Sequence, residues 1–248
     1  MEKLIAVVTG GTRGIGLGIA AALLKRGASV AVTYRSNEQS AQKARQQLEG
    51  LVTAPQRILL LKGDGGDPTV VENHHRQVAE ALGPVNVLVN NAGIMPQKAF
   101  DTLTGREWEE TIRVNLNSAF YWCSQVIPGM KAAGFGRIVN ISSLAARGGG
   151  VVGPHYAASK AGMLGLTRYG ARELGPFGIT VNAIAPAFIE DAGIFADWSA
   201  DQKAALTEKV IVSRIGQVND VVRAFEYLLD GDFVTGVTLD VCGGAFMI

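Results

Sequence analysis

Residues 5–16 read I-A-V-V-T-G-G-T-R-G-I-G. A short apolar run, rich in β-branched residues, enters a stretch in which positions 10, 11, 14 and 16 are all glycine. The run has the length and composition of a buried strand, and the residues from Gly14 to Arg26 carry a helical pattern. A strand that turns through glycine into a helix lets backbone N–H groups approach an anion at the helix N-terminus. Gly10, Thr12, Arg13, Gly14, Ile15 and Gly16 are therefore candidates to cradle the pyrophosphate of a dinucleotide. An ordinary glycine-rich turn is the plain alternative for such a pattern standing alone.

The rest of the chain repeats the same alternation. Strands are expected at Ile5–Thr9, Val30–Tyr34, Ile58–Lys62, Val85–Asn90, Arg137–Ile141, Thr180–Ala185 and Thr238–Val241. Helices are expected at Gly14–Arg26, Glu38–Leu51, Thr69–Leu82, Gly105–Met130, Tyr156–Leu174 and Val218–Leu229. The strands are nearly continuous in Val, Ile and Leu, the mark of strands buried on both faces of a parallel sheet. Strand–helix alternation predicts an α/β fold with a doubly wound parallel sheet flanked by helices, its ligands at the carboxyl edge. No repeat, low-complexity tract or linker divides the 248 residues, so a single domain is expected. Residues 187–217 form the least regular stretch and read as a lid or substrate loop.

Bulk properties exclude several classes. The chain is 48% hydrophobic with net charge +1, and no dense Lys/Arg run supplies the footprint of a nucleic-acid binder. No apolar run is long enough for a membrane span, and the N-terminal segment before the first strand is too short for a secretory signal. Cys123 and Cys242 are far apart, which favours a reducing cytoplasm over a disulfide framework. The histidines, His74, His75 and His155, form no cluster with Cys at metal-ligand spacing, so no metal site is expected.

The ends of the next strands refine the cofactor. Strand two ends T-Y-R-S-N (33–37), without the acid that binds a ribose 2′-hydroxyl in NAD-preferring sites. Arg35, with Ser36 and Arg13, suits a 2′-phosphate instead, since guanidinium donors fork onto phosphate oxygens. NADP(H) is thus preferred over NAD(H). Strand three ends G-D-G (63–65), where Asp64, beside Gly65, either accepts from an adenine amino group or caps the following helix. Strand four ends N-N-A-G (90–93). The small residues Ala92 and Gly93 leave room for a cofactor, with Asn91 holding local backbone.

Residues 155–160 read H-Y-A-A-S-K, which sets Tyr156 and Lys160 at i, i+4 on one helix face. A free tyrosine is too weak an acid to protonate a carbonyl near neutral pH, and an adjacent ammonium lowers its pKa. Taken together, T-G-x-x-x-G-x-G from Thr9, Asn90-Asn91-Ala92-Gly93, Asn115, Ser143 and Tyr156-x-x-x-Lys160 resemble the short-chain dehydrogenase/reductase family, in its order and over nearly the whole chain. The likeness is greatest to 3-oxoacyl-ACP reductases. It implies a seven-stranded Rossmann fold, usually a homotetramer, and hydride transfer between NAD(P) and a carbonyl/alcohol pair. It further implies Tyr156 as acid/base, Lys160 on the nicotinamide ribose, Ser143 on the substrate oxygen and Asn115 supporting a water that reaches Lys160. Pro186 and Ile189 fall in the nicotinamide-binding segment. Ser142 is taken as structural, because strand alternation points it away from Ser143.

The chain departs from the family after strand six. Its P-A-F-I-E-D (186–191) carries Ala187 for a usual glycine and Asp191 for a threonine that bonds the carboxamide. Asp191 is expected to favour the oxidised, cationic ring. Phe177 replaces a basic residue that relatives offer to acyl carrier protein, which weakens that partner and leaves Arg137 as a basic contact. Ile94, Met95, Phe188, Ile194, Phe195 and Trp198 are candidates for an apolar substrate pocket. Apolar residues on several faces of the two long helices, among them Phe120, Tyr121, Trp122, Met163, Leu164 and Leu166, fit the paired helices of the family's oligomer. The rival functions are oxidation of a sugar, polyol or steroid alcohol, and a non-catalytic dinucleotide-binding regulator. Intact Ser143, Tyr156 and Lys160 argue against the latter.

Overall fold

Seven runs rich in Val, Ile and Leu form one parallel sheet. The strands are β1 (Ile5–Val8), β2 (Ser29–Tyr34), β3 (Ile58–Lys62), β4 (Val87–Asn90), β5 (Gly136–Ile141), β6 (Ile179–Pro186) and β7 (Thr238–Val241), in the order β3-β2-β1-β4-β5-β6-β7. The computed structural model describes residues 3–190, 199–208 and 210–247. Every residue of β1, β4, β5 and β6 is buried. That is what near-continuous aliphatic runs require, because helices cover both faces.

The helices are α1 (Gly14–Lys25), α2 (Glu38–Glu49), α3 (Pro68–Ala81), α4 (Gly105–Ile112), α5 (Ser118–Ala133), α6 (Ala145–Gly148), α7 (Pro154–Leu174), α8 (Ala200–Thr207) and α9 (Val218–Asp230). On one face α1 and α9 bury Ile19, Leu23, Phe225 and Leu228 against the sheet. On the other, α3, α5 and α7 contribute Val71, Trp122, Val126, Met130 and Leu174. This is the doubly wound Rossmann arrangement expected from the sequence.

The position of the site follows from the strand order. β1 pairs with both β2 and β4, so the winding reverses there, and Val8 and Val89 are in register beside one another. The carboxyl ends of β1 and β4 therefore open side by side into a crevice, where α/β sheets of this type bind their ligands.

One expectation needs correction. The single helix expected over 105–130 is interrupted: Arg113–Asn117 forms a π-helical turn between α4 and α5. One extra residue in the turn re-aims side chains locally, and here it buries Asn115 completely. The described part of the stretch 187–217, expected as a lid or substrate loop, carries secondary structure of its own. It contains α8, which begins with a reciprocal cap between Ser199 and Gln202, and Ile189 bridges in parallel to Gly216. The Ser-x-x-Gln spacing was the available signal for that helix. Asp191, Ile194, Phe195 and Trp198 lie outside the described residues, so the expectations attached to them stand apart from this structure. Among the described residues no helix is long and apolar enough to cross a membrane. Phe120 on α5 and Tyr169 on α7 are exposed.

Candidate active site

The first turn is stitched to the end of β4. The Thr9 hydroxyl accepts from the backbone N–H groups of Asn91 (2.9 Å) and Ala92 (3.0 Å). The Asn91 side-chain amide donates to the carbonyls of Thr9 (2.9 Å) and Gly10 (3.0 Å). Glycine is required at this seam. Gly10 has φ +62°, and a Cβ there would lie 2.9 Å from the Ala92 Cα. A Cβ at Gly16 would lie 2.5 Å from the Asn91 Nδ2. Arg13 precedes α1 in an extended conformation, and the helix start has no side-chain cap. Its first amides are thus left to an external acceptor, and a phosphate suits that position. Thr12 is buried, Gly14 and Ile15 are half-buried, and Arg13 is exposed. This cradle fits the pyrophosphate of a dinucleotide.

At the outer side of the crevice, Arg35 and Ser36 follow β2 and are exposed. Glu38, the first acid after β2, is already engaged by the Tyr34 hydroxyl (2.9 Å) and Lys62 (2.5 Å). Asp64 is not the cap of α3; Asp67 is, accepting from the Thr69 N–H at 2.8 Å. Asp64 instead accepts from the Gly66 N–H (2.9 Å) and from Arg113 (2.8 Å). Burial pushes the Asp64 carboxyl up, but the bonds from Arg113 and Gly66 and the charges of Arg113 and Arg35 outweigh it, and the net direction is down. Arg113, between Glu110 and Asn115 in sequence, was missed by sequence reasoning. Its i, i+3 spacing from Glu110 was the only hint.

The inner end gathers the remaining candidates. Asn115 is fully buried; its Oδ1 accepts from the Ile94 N–H (2.7 Å) and its amide donates to the Ile94 carbonyl (2.9 Å) and Ser159 Oγ (3.1 Å). Gly93 lies beside it: a Cβ there would sit 3.2 Å from Asn115 Oδ1 and 3.6 Å from Lys160 Nζ. The two serines after β5 divide as alternation predicts. Ser142 is buried and donates to the Lys160 carbonyl (2.8 Å), while the Ser143 hydroxyl accepts from the Ala145 N–H (3.2 Å) and lies close enough to the Tyr156 phenol to lower its pKa. A polar ladder crosses the core from Asn90 to Asn140 (2.8 Å), then from Asn140 to Thr167 (2.9 Å), and so fastens α7 to the sheet. Buried polar side chains bonded to one another in this way favour one register, although Asn90 Oδ1 itself is buried without a partner among the described residues.

Tyr156 packs with Ala145 and Val152, and Met95 lies against the three. Burial raises its pKa, against a smaller lowering by the Ser143 hydrogen bond. The expectation that Lys160 lowers this pKa does not hold in the protein alone. Lys160 Nζ sits 5.9 Å from the Tyr156 ring centre and donates instead to the Ile141 carbonyl at 2.8 Å. Burial also pushes the Lys160 ammonium down to about 8. The phenol is consequently protonated at neutral pH, the form a proton donor needs.

That shift has a thermodynamic consequence. The folded value of Lys160 lies below the ordinary 10.5, so the unfolded chain holds this proton more tightly. The penalty is complete below about pH 8 and is relieved as pH rises toward 10.5. Replacing Lys160 by Met removes the titration. Relative to Lys160→Met, the wild-type protein without dinucleotide should gain about 2 kcal/mol between pH 7 and about pH 9.5. Urea unfolding of both proteins at the two pH values measures this, and a constant difference would refute it.

The Ile189 side chain is a core member, only 2% exposed, so any contact to a cofactor is left to its main chain. Ala187 accepts its position without strain. Among the described residues only Ser213 has positive φ outside glycine, and the Ala187 N–H donates to the Val241 carbonyl (3.1 Å). Pro186 closes β6 and its carbonyl accepts from the Leu144 N–H at 2.9 Å. Arg137 is no docking cation: it is buried, donating to the carbonyls of Leu229 (3.2 Å), Gly136 (2.9 Å) and Gly178 (3.3 Å). A charged side chain in the core must be satisfied in this way. Recesses open elsewhere among the described residues. One, of about 270 Å³, is lined by residues including Phe188, Val210 and Cys242; another lies between Gln97–Phe100 and Gly149–Pro154. Phe188 thus faces a recess separate from Met95 and Tyr156.

A family model described as short chain dehydrogenase matches residues 4–203. The chain belongs to the short-chain dehydrogenase family. Acetoacetyl-CoA reductase of Rhizobium meliloti is 38% identical, with 98% of each chain covered. The 3-oxoacyl-[acyl-carrier-protein] reductase FabG of Escherichia coli is 35% identical over 100% of this chain and 99% of its own. Among solved structures, a putative short-chain alcohol dehydrogenase from Sinorhizobium meliloti superposes with a TM-score of 0.89 at 33% identity, covering 99% of this chain and 97% of that one. A short-chain dehydrogenase is an oxidoreductase that binds a nicotinamide dinucleotide, and the sheet and cradle described above are the frame for it.

Proposed function

We propose that this short-chain dehydrogenase is an NADP(H)-dependent reductase of a 3-oxoacyl thioester or a similar ketone. The observation that carries the reading is the Ser143–Tyr156 hydroxyl pair, set beside buried Lys160 at the carboxyl edge of the sheet. The dinucleotide supplies the hydride. Ser143 orients the carbonyl oxygen, and Tyr156 delivers the proton that the oxygen needs as charge develops on it. Asn115 holds the Ile94 backbone and Ser159 in place and so steadies the floor beneath Gly93 and Lys160.

The names of the relatives support a thioester substrate. Between a coenzyme A thioester and an acyl carrier protein, the surface favours the former. Phe177 stands where a cation would meet an acidic carrier, Lys131 nearby is paired with Glu173 (3.0 Å), and Arg137 is buried. The unpaired thiols Cys123 and Cys242 support a reducing, cytoplasmic setting.

NADP(H) selectivity is assigned to Arg35 with Ser36 and Arg13, since no unengaged acid follows β2 to take a ribose 2′-hydroxyl. Steady-state kinetics with NADPH and NADH, across acetoacetyl-CoA, simple ketones and sugars, test the proposal. Arg35→Ala should lower kcat/KM for NADPH by about tenfold to a hundredfold, the worth of a charge-assisted phosphate contact, and leave NADH nearly unchanged. A wild-type preference for NADH would overturn the cofactor assignment.

A further inference from the structure

Arg35, Asp64, Glu110 and Arg113 form a four-membered charge cluster at the outer end of the crevice, joining the ends of β2 and β3 to α4. Its two arginines are held unequally. Arg113 is bound tightly, with nitrogens 2.8 Å from both Asp64 Oδ2 and Glu110 Oε2, and it lies across Gly66, where any Cβ would overlap the guanidinium. Arg35 is bound loosely: 3.1 Å to Glu110 Oε1, 3.7 Å to Asp64 Oδ2, with 53% of its side chain exposed. The carboxylates are tied down by Arg113, while Arg35 touches them from outside. Two positive and two negative charges balance, so the cluster as it stands offers little net attraction to an anion.

We propose that Glu110 is a positioning residue that acts as an internal stand-in for the 2′-phosphate of NADP(H), holding Arg35 until the phosphate displaces it. The inference rests on the dinucleotide reading above and adds to it a residue from a different element. Three features support displacement rather than a permanent tie. The Arg35–Glu110 contact is single and partly solvated, whereas a phosphate offers a dianionic, forked acceptor that arginine binds with better geometry. Glu110 keeps Arg113 as a partner when Arg35 leaves, so no carboxylate is stranded. Arg113 is saturated by two carboxylates and is not free to take the phosphate itself. The cost of the arrangement is repulsion between Glu110 and the incoming phosphate, so Glu110 moderates the NADP(H) preference that Arg35 creates.

Glu110→Gln keeps the size of the side chain and its hydrogen-bonding reach but removes the charge. Dissociation constants for NADPH, NADH and 2′,5′-ADP, by fluorescence titration and calorimetry on the intact protein, provide the test. In Glu110→Gln at low ionic strength, NADPH and 2′,5′-ADP should bind about threefold to tenfold tighter, while NADH changes by less than about twofold. The gain should shrink as salt is added, because screening weakens exposed charge interactions. A merely structural Glu110 would lower the urea midpoint and leave the NADPH/NADH ratio where it was. Unchanged or weaker NADPH binding, or equal shifts for both nucleotides, overturns the inference while leaving dinucleotide binding intact. Failure of the wild-type protein to bind either nucleotide would bring down the underlying reading as well.

Discussion

Replacing Tyr156 by Phe should lower turnover by about a hundredfold to ten-thousandfold while NADPH still binds, the range expected when a positioned proton donor is lost. The ring would remain in place, because Ala145, Val152 and Met95 pack its carbon framework rather than its hydroxyl. What is removed is the interaction with the Ser143 hydroxyl, which is itself only half-buried, so stability should change by no more than about 1 kcal/mol. The expected signature is thus a fall in kcat with an unaltered dissociation constant for NADPH and a urea midpoint moved by no more than that small change in stability. A variant that kept near wild-type kcat on its best substrate would remove Tyr156 from the chemistry. One that lost nucleotide binding would show that the hydroxyl, not the ring, organises the pocket.

The cradle carries the second large effect. Gly10→Ala adds one carbon at a residue with φ +62°, only 2.9 Å from the Ala92 Cα and 3.3 Å from its Cβ and N. The left-handed conformation costs an L-residue about 1–2 kcal/mol, and an overpacked contact against backbone adds about 1–3 kcal/mol. The chain's cheapest relief is to part the first turn from the end of β4. That loosens the bonds Asn91 makes to Thr9 and Gly10 and moves the amides that face the pyrophosphate. A loss of about 2–4 kcal/mol in folding stability and at least about a tenfold rise in the NADPH dissociation constant are expected. Urea unfolding and fluorescence titration read the two quantities separately. Unchanged binding in a destabilised protein would show that the seam tolerates the shift.

Much of this architecture was legible because it repeats. The aliphatic runs of β1, β4, β5 and β6 could only be buried on both faces, and that decides a parallel sheet covered by helices. The shared face of Tyr156 and Lys160 was legible from helix period, and the opposed directions of Ser142 and Ser143 from strand period, while their roles came from the family resemblance. Other features have no local signature. The π-helical turn at Arg113–Asn117 arises because Asn115 is drawn into the core to bind Ile94 and Ser159, partners distant in sequence. Ile189, expected at the cofactor, has its side chain captured by the aliphatic cluster packed between α1 and α9, which leaves only its main chain for that role. Arg137 looked like a surface cation and is buried, because three carbonyls converge on it from β5, α9 and the turn before β6.

The sequence by itself determined the doubly wound sheet, the glycine turn and the shared face of Tyr156 and Lys160, since each follows from backbone sterics or from the 2.0 and 3.6 periods of strand and helix, and the family resemblance added Ser143 to that pair. Only the tertiary structure decided which charges meet. Arg35, Asp64, Glu110 and Arg113 come from separate segments, and their pairing depends on the strand order and on how α4 crosses the ends of β2 and β3. The protonation of Tyr156 and Lys160 was likewise decided there, because desolvation is set by everything packed around a group and not by its neighbours in the chain.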